Sequence, residues 1–141
     1  MTWAPQQTQI SVYAALTGDA TLQTLLGGSL GDKKVYDSVP DLKAYPYITM
    51  QIKPLADRAN EDWDGVEINY QINVWYQAPG QGDLKVQQIQ ERIDELLHNQ
   101  DICIDGWNVI VHRRTTVDIL DEPDGRTKHG VQIFKLFLGE A

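Results

Sequence analysis

Segment 66–76 constrains the fold most, because apolar and polar side chains alternate along it without interruption. Successive side chains of a β-strand point to opposite faces, so a period of two predicts a strand with one face on a core. The other face is polar with few charges, which is typical of a surface that meets water or a partner. The apolar positions are Val66, Ile68, Tyr70, Ile72, Val74 and Tyr76, and Glu67, Asn69, Gln71, Asn73 and Trp75 lie between them.

Three other segments predict strands that pair with this one. Residues 47–53 alternate in the same way, and 102–120 predict two linked strand pieces centred on alternation from Trp107 to His112. Residues 130–138 are apolar on both faces, which indicates a strand inside the sheet or at an interface. A short extended piece is predicted at 34–37, and the polar stretch 55–65 predicts a long loop.

Helical spacing predicts three helices. The first covers 5–17, with Ile10, Tyr13, Ala14 and Thr17 at helical intervals. A short second helix follows, capped by Asp19 and ended by glycines 27 and 28. The main helix runs from a cap at residue 83 to about residue 99, and its apolar stripe is Val86, Ile89, Ile93, Leu96 and Leu97.

The element order is therefore α-α-β-β-α-β-β. Short connections favour an α+β fold with an antiparallel (mixed) sheet of about four to five strands and helices packed on one face. The 141 residues suit one domain, 1–141, and we expect residues 1–4 to be flexible.

Charge and cysteine content restrict the partners and the compartment. Twenty acidic against twelve basic residues give a net charge of −8, which would repel a phosphate backbone and disfavours a dedicated nucleic-acid binder. One cysteine allows no intrachain disulfide, which fits a reducing compartment. The N-terminal residues do not resemble a signal peptide, and no apolar run approaches the roughly 20 residues of a membrane span. We expect no membrane partner and synthesis in the cytoplasm.

The residues that could carry catalysis are better explained structurally. Cys103 lies between two isoleucines, which favours a buried, inert thiol. His98 falls at a helix C-terminus, where the dipole favours a cation. The spacing of His98, His112 and His129 along the chain does not match that of metal ligands. The paired carboxylates lie in polar loops, where they make poor general acids. The sequence therefore predicts no catalytic residue, no cofactor and no metal.

Several segments, in order along nearly the whole chain, resemble the tail-completion or tail-terminator family of long-tailed bacteriophages and gene transfer agents. The strongest is 121–130 (DEPDGRTKHG), similar to the family's late hairpin turn into the final strand. A longer, Trp-containing N-terminus, 1–9, departs from the pattern. The other segments are 12–16 (VYAAL), 19–22 (DATL), 25–27 (LLG), 35–40 (VYDSVP), 45–49 (YPYIT) and 72–75 (INVW).

The resemblance implies a non-enzymatic virion protein that forms a ring, commonly hexameric, at the end of the tail tube. Its implied partners are copies of itself, the major tail tube protein and a head-completion or neck protein, with DNA passing through the ring without specific binding. An acidic lumen would let DNA slide without sticking.

Two polar segments are the candidate interfaces: the 57–64 loop and the 121–129 turn. Trp63 is either an interface anchor or a side chain folded back onto the core. Arg126 and His129 either bond acids of a neighbouring subunit or pair locally with Asp121 or Asp124. The candidate residues are Asp57, Arg58, Asp62, Trp63, Asp64, Asp121, Asp124, Arg126 and His129.

Two alternative functions remain open. The chain is an adaptor or stopper in the neck that joins head and tail, or it is a small cytoplasmic ligand-binding or enzymatic α+β domain. A deep apolar pocket with converging polar groups would favour the latter.

Overall fold

The computed structural model describes residues 3–38, 41, 44–53, 56–57, 65–77 and 83–141. Within these residues, the longer elements follow the predicted order, α-α-β-β-α-β-β, and two short strands are added. The elements are α1 (Ala4–Thr17), α2 (Ala20–Leu26), β1 (Val35–Tyr36), β2 (Tyr47–Ile52), β3 (Ala56–Asp57), β4 (Gly65–Gln77), α3 (Leu84–Leu97), β5 (Trp107–Asp121) and β6 (Thr127–Glu140).

The strands form one mixed sheet in the order β1-β2-β4-β6-β5, and β3 pairs with β4 beside this path. β1 runs parallel to β2, whereas the other pairs are antiparallel. The predicted α+β class with a mixed sheet is therefore confirmed. β6 lies between β4 and β5, as its two apolar faces predicted.

The core lies between the helices and one face of the sheet. The β4–β6 register places Tyr70 opposite Phe134, and their rings stack with centroids 5.1 Å apart. Burying these large side chains supplies much of the hydrophobic stabilisation, because the effect scales with apolar area removed from water. The fully buried residues also include Ile68, Ile72 and Val74 of β4, Leu136 and Leu138 of β6, and Val86, Ile89, Ile93 and Leu97 of α3.

β5 corrects the prediction of two linked strand pieces. It is one strand of 15 residues, with register shifts between Val109 and Val111 and between Arg114 and Thr116. An extra residue at a β-bulge breaks the alternation of side chains without ending the pairing. The bulges therefore interrupt the alternation within a single strand.

β3 corrects part of the predicted loop 55–65. Ala56 and Asp57 pair with Glu67 and Val66 of β4. Strand pairing uses backbone N–H and C=O groups, which every non-proline residue has. So short a strand therefore cannot be recognised from the polarity of its side chains. Residues 58–64 of that loop lie outside the described residues.

α1 begins at Ala4 and turns a different stripe inward from the one that the sequence predicted. Its buried residues are Ala4, Thr8, Val12 and Leu16, whereas Ile10 and Tyr13 are exposed. The hydroxyl of Thr8 donates to the carbonyl of Ala4, so the buried polar atom is satisfied. Of the predicted flexible residues 1–4, Met1 and Thr2 lie outside the described residues, and Ala4 is buried.

The two other helices begin differently. Asp19 caps α2 as predicted, because its Oδ2 accepts from the backbone N–H of Leu22 at 2.8 Å. Asp83, also predicted as a cap, makes no such bond to α3, and its carboxylate instead lies 3.4 Å from Lys128 Nζ on β6.

Within the described ranges, no helix has both the length and the apolar character that crossing a membrane requires.

Candidate assembly surfaces

The face of the sheet that points away from the helices carries a hydrogen-bonded network of polar side chains. Thr49 on β2 accepts from the indole N–H of Trp75 on β4 at 2.9 Å. Gln71 Nε2 donates to Asn73 Oδ1 at 2.7 Å on β4 itself. The first contact joins β4 to β2 and the second lies within β4, so these polar groups hold one another in place.

His129 on β6 lies at the centre of this network. The register places it opposite Trp75, and the two rings stack with centroids 3.9 Å apart. One ring nitrogen lies 2.8 Å from Asn73 Oδ1 and the other 3.1 Å from Glu122 Oε1. Local pairing, one of the two predicted readings, therefore occurs, although the partners are Glu122 and Asn73 rather than Asp121 or Asp124.

The β5–β6 turn is organised by Asp124. Its Oδ1 accepts from the backbone N–H groups of Arg126 and Thr127 at 2.8 Å, and its Oδ2 accepts from the Thr127 hydroxyl at 2.6 Å. These bonds, led by the Thr127 hydroxyl, lower the pKa of Asp124 to about 2. Gly125 has a φ of 71°, a left-handed conformation that glycine adopts readily. The sequence-predicted turn is thus a rigid tip.

The other candidate interface residues lie at the β5–β6 hairpin, on β3 or outside the described residues. Asp121 pairs with Lys128 across the hairpin. The side chain of Arg126 is exposed at the tip of the turn. Asp57 pairs with β4 through its backbone. Arg58, Asp62, Trp63 and Asp64 lie outside the described residues, so the two readings of Trp63 stay open.

β5 adds a surface that the sequence did not single out. It is an edge strand, paired on one side with β6. Ile110, Val117 and Leu120 on this strand are each about half exposed. Exposed apolar residues on a long edge strand are typical of a contact surface, because the backbone N–H and C=O groups of the edge can pair with another chain. Their spacing crosses a bulge, which explains why alternation did not reveal them.

The three histidines all have structural partners. His112 is buried, its Nδ1 lies 3.1 Å from the carbonyl of Gln100, and its Nε2 lies 2.5 Å from the hydroxyl of Tyr70. Burial lowers the pKa of His112 and raises that of Tyr70 well above 10.0. The ring therefore donates through Nδ1 and accepts from Tyr70, an arrangement that braces β4 against β5.

His98 lies at the C-terminus of α3 as predicted, whereas Cys103 differs from the sequence-based expectation. His98 Nδ1 accepts from the backbone N–H of Arg114 at 2.8 Å, so this ring links the end of α3 to β5. Cys103 is exposed, not buried. The next residue, Ile104, is buried instead.

Across the described residues, no group of three or more His, Cys, Asp or Glu side chains is placed to hold a metal ion.

Comparison with known proteins identifies the family. The family profile described as tail completion protein gp17 matches residues 10–138, which is most of the chain. The chain belongs to the tail completion protein gp17 family. It is accordingly a structural protein of the tail, and the resemblance inferred from the sequence is confirmed.

A solved structure shares the fold of this tail completion protein. The chain is similar to one from the virion of a native gene transfer agent particle, with a TM-score of 0.83 and 18% identity. The match covers 99% of both chains, so the two folds correspond from end to end. No curated protein sequence matches the chain significantly.

Proposed function

We propose that this chain is the tail terminator subunit, which forms a hexameric ring, caps the tail tube and provides the surface to which the head joins. The match of residues 10–138 to the tail completion family carries the proposal. The sheet supports it, because its two ends differ: a two-residue strand, β1, lies at one end and the 15-residue β5 at the other. A cyclic ring requires contacts between two different patches of each copy.

The described side chains support assembly over catalysis. His98, His112 and His129 each hold two elements together. A catalytic base must instead be free to reach a substrate proton. Turnover of a small molecule that vanished on replacing Cys103, His112 or His129 would contradict this part of the proposal.

The net charge of −8 supports a ring through which DNA passes. Acidic side chains on a lumen repel phosphates, so DNA would slide without specific binding. The remaining contacts would be to the major tail tube protein on one side and to a head-completion protein on the other. Neutralising lumen acids should slow DNA passage, measured as ejection rate.

The candidate residues that the sequence named stay part of this proposal. Arg126 at the rigid turn is exposed and available to a carboxylate of a neighbouring subunit. Asp57, Arg58, Asp62, Trp63 and Asp64 form the other proposed contact region, and Asp121, Asp124 and His129 shape the turn from which Arg126 projects.

Electron microscopy of tails made with and without this chain tests the proposal. Without a terminator nothing stops tube growth, so we expect tails of uncontrolled length, and supplying the wild-type chain in trans should restore uniform tails. Tails of normal length that fail to join heads would instead assign the chain to the neck, as an adaptor or stopper. Tails that are normal in both respects would contradict both roles.

A further inference from the structure

We infer that the ring closes by docking the exposed face of α1 of one copy into the groove between α3 and β5 of the next copy. The inference rests on the proposed ring and adds the two surfaces that would form it. It follows from the chemistry of α1, from that of the groove and from their positions in the fold.

The exposed face of α1 is apolar and uncharged. Trp3 is 65% exposed, Ile10 52% and Tyr13 44%. Gln6, Ile10 and Tyr13 recur at intervals of four and three residues, which places them on one face of the helix, and Trp3 precedes the helix as its N-cap residue. No Asp, Glu, Lys or Arg occurs in residues 1–18, although 23% of the chain is charged. Depletion of charge together with exposed aromatic residues is typical of the centre of a protein interface.

A second copy is the occupant that the charges favour. Each copy carries −8, so two copies repel one another wherever acidic surfaces meet. An uncharged helix face avoids that repulsion. The groove itself is acidic, with Glu91, Asp94 and Glu95 against Arg114, so it repels acidic surfaces but not an uncharged helix.

The groove between α3 and β5 is rich in hydrogen-bond acceptors. It has a volume of about 330 Å³, and its lining includes Glu91, Asp94 and Glu95 against Arg114, together with Val117 and Gln90. Glu91 and Glu95 are exposed, and their carboxylate oxygens can accept hydrogen bonds. A ligand that brings uncharged donors therefore fits this groove.

The α1 face offers uncharged donors and an apolar centre. Gln6 has an amide NH₂ and Tyr13 a hydroxyl, and both are on the exposed face; the exposed Trp3, just before the helix, adds an indole N–H. Ile10 lies between them and would meet Val117, which is 48% exposed beside the groove. An amphipathic helix laid into a groove is a common mode of recognition, with anchors at these helical intervals.

The two surfaces are different patches of the same copy. α1 packs on β1, β2, α2 and α3, at the β1 end of the sheet. The groove lies beyond α3, at the β5 end. A contact between the two is therefore head-to-tail, which leaves each copy with one free surface until a ring closes.

The test measures how much of each variant is incorporated into purified tails, made in cells in which the variant replaces the wild-type chain. Ile10→Glu and Val117→Glu each place an acid at the proposed contact and should lower incorporation about tenfold or more, as expected for a contact that costs about 1.4 kcal/mol. Leu30→Glu is the matched control, because Leu30 is 95% exposed outside both surfaces. It should be incorporated like the wild type.

Gln6→Glu separates assembly from folding. An acid in the first turn of a helix interacts favourably with its dipole, so this variant should melt at or above the wild-type temperature. It replaces an amide donor by a carboxylate that faces the groove acceptors, so incorporation should still fall. Normal incorporation of Gln6→Glu, Ile10→Glu and Val117→Glu would overturn the inference while leaving the proposed ring intact. Absence of the wild-type chain from tails would overturn the proposed function itself.

A mixing experiment tests the head-to-tail order. At concentrations where the wild-type chain assembles, Ile10→Glu retains an intact groove and Val117→Glu retains an intact α1 face. An equimolar mixture should therefore form pairs and nothing larger, measured as mass in solution. Complete rings from the mixture, or rings from Val117→Glu alone, would contradict the order of contacts.

Discussion

The helix-covered face of the sheet is closed by apolar side chains, whereas the open face of the same strands is closed by polar side chains bonded to one another. On β4, Tyr70 and Ile72 are fully buried under the helices, and Asn73 and Trp75 point the other way into the network around His129. Alternation along a single strand creates both surfaces.

The covered face stabilises the fold, whereas the open face is suited to recognition of another protein. The covered face removes apolar area from water, which drives folding. The open face gains less, but Thr49, Trp75 and His129 there already have hydrogen-bond partners, so another protein can cover these groups without leaving them unpaired. Substitutions at equivalent positions on the two faces therefore test this difference in stability.

The largest expected effect is on the covered face of β6. Phe134→Ala removes a ring that stacks on Tyr70 and should lower the free energy of unfolding by about 3–5 kcal/mol, because it leaves a cavity. Phe137→Ala, on the open face of the same strand and only partly buried, is the control and should cost clearly less. Urea unfolding measures both, and equal losses would contradict the division between the faces.

Removing a hydroxyl from the covered face should have the next largest effect. Tyr70→Phe leaves Nε2 of His112 buried without its donor, which should lower the free energy of unfolding by about 1–3 kcal/mol. Thermal or urea unfolding would reveal it. A variant as stable as the wild type would indicate that His112 does not depend on this bond.

Acidification should weaken the same buried pair to an intermediate extent. Burial lowers the pKa of His112 below 6.5, so the unfolded chain binds a proton more readily than the folded one. The contribution of His112 is complete above pH 6.5 and is lost as the pH falls through the lowered pKa. Unfolding free energy measured from pH 7 to pH 5 should decline less steeply in His112→Phe, and an unchanged slope would contradict the assignment.

The smallest effect is expected from the corresponding hydroxyl on the open face. Thr49→Val removes the acceptor of the Trp75 indole N–H. Trp75 is only partly buried, so water can replace the lost partner, and unfolding free energy should fall by about 0.5–1 kcal/mol. A loss as large as that of Tyr70→Phe would mean that the network on the open face stabilises the fold as strongly as the core does.

Strong local signals predicted most of the fold. The alternation on β4 and the apolar stripe of α3 each reported burial directly, and the cap at Asp19 and the turn around Asp124 depend on neighbours within three residues. Such features are local, so one sequence contains them. β5 was harder, because its bulges hide the alternation.

Contacts between distant segments escaped prediction. Asp19 also binds Arg92 of α3, with Arg92 Nε donating at 2.8 Å and Nη2 at 2.6 Å, and this hydrogen bond lowers the pKa of Asp19. His129 meets Trp75 and Asn73 only because β6 pairs with β4 in one register. A shift of one residue would send these side chains to the other face.

Spacing and turn chemistry act over a few residues, so local sequence is enough to specify the apolar face of β4, the sheet-covering stripe of α3 and the ordered turn before β6. Which stripe of α1 is buried depends instead on packing between distant segments. The helix has two apolar stripes. Val12 and Leu16 of one stripe are buried in the core, whereas Ile10 and Tyr13 of the other are exposed. Packing against β1, β2 and α3 determines the buried stripe, because a helix with two apolar stripes can bury only the one that fits its neighbours.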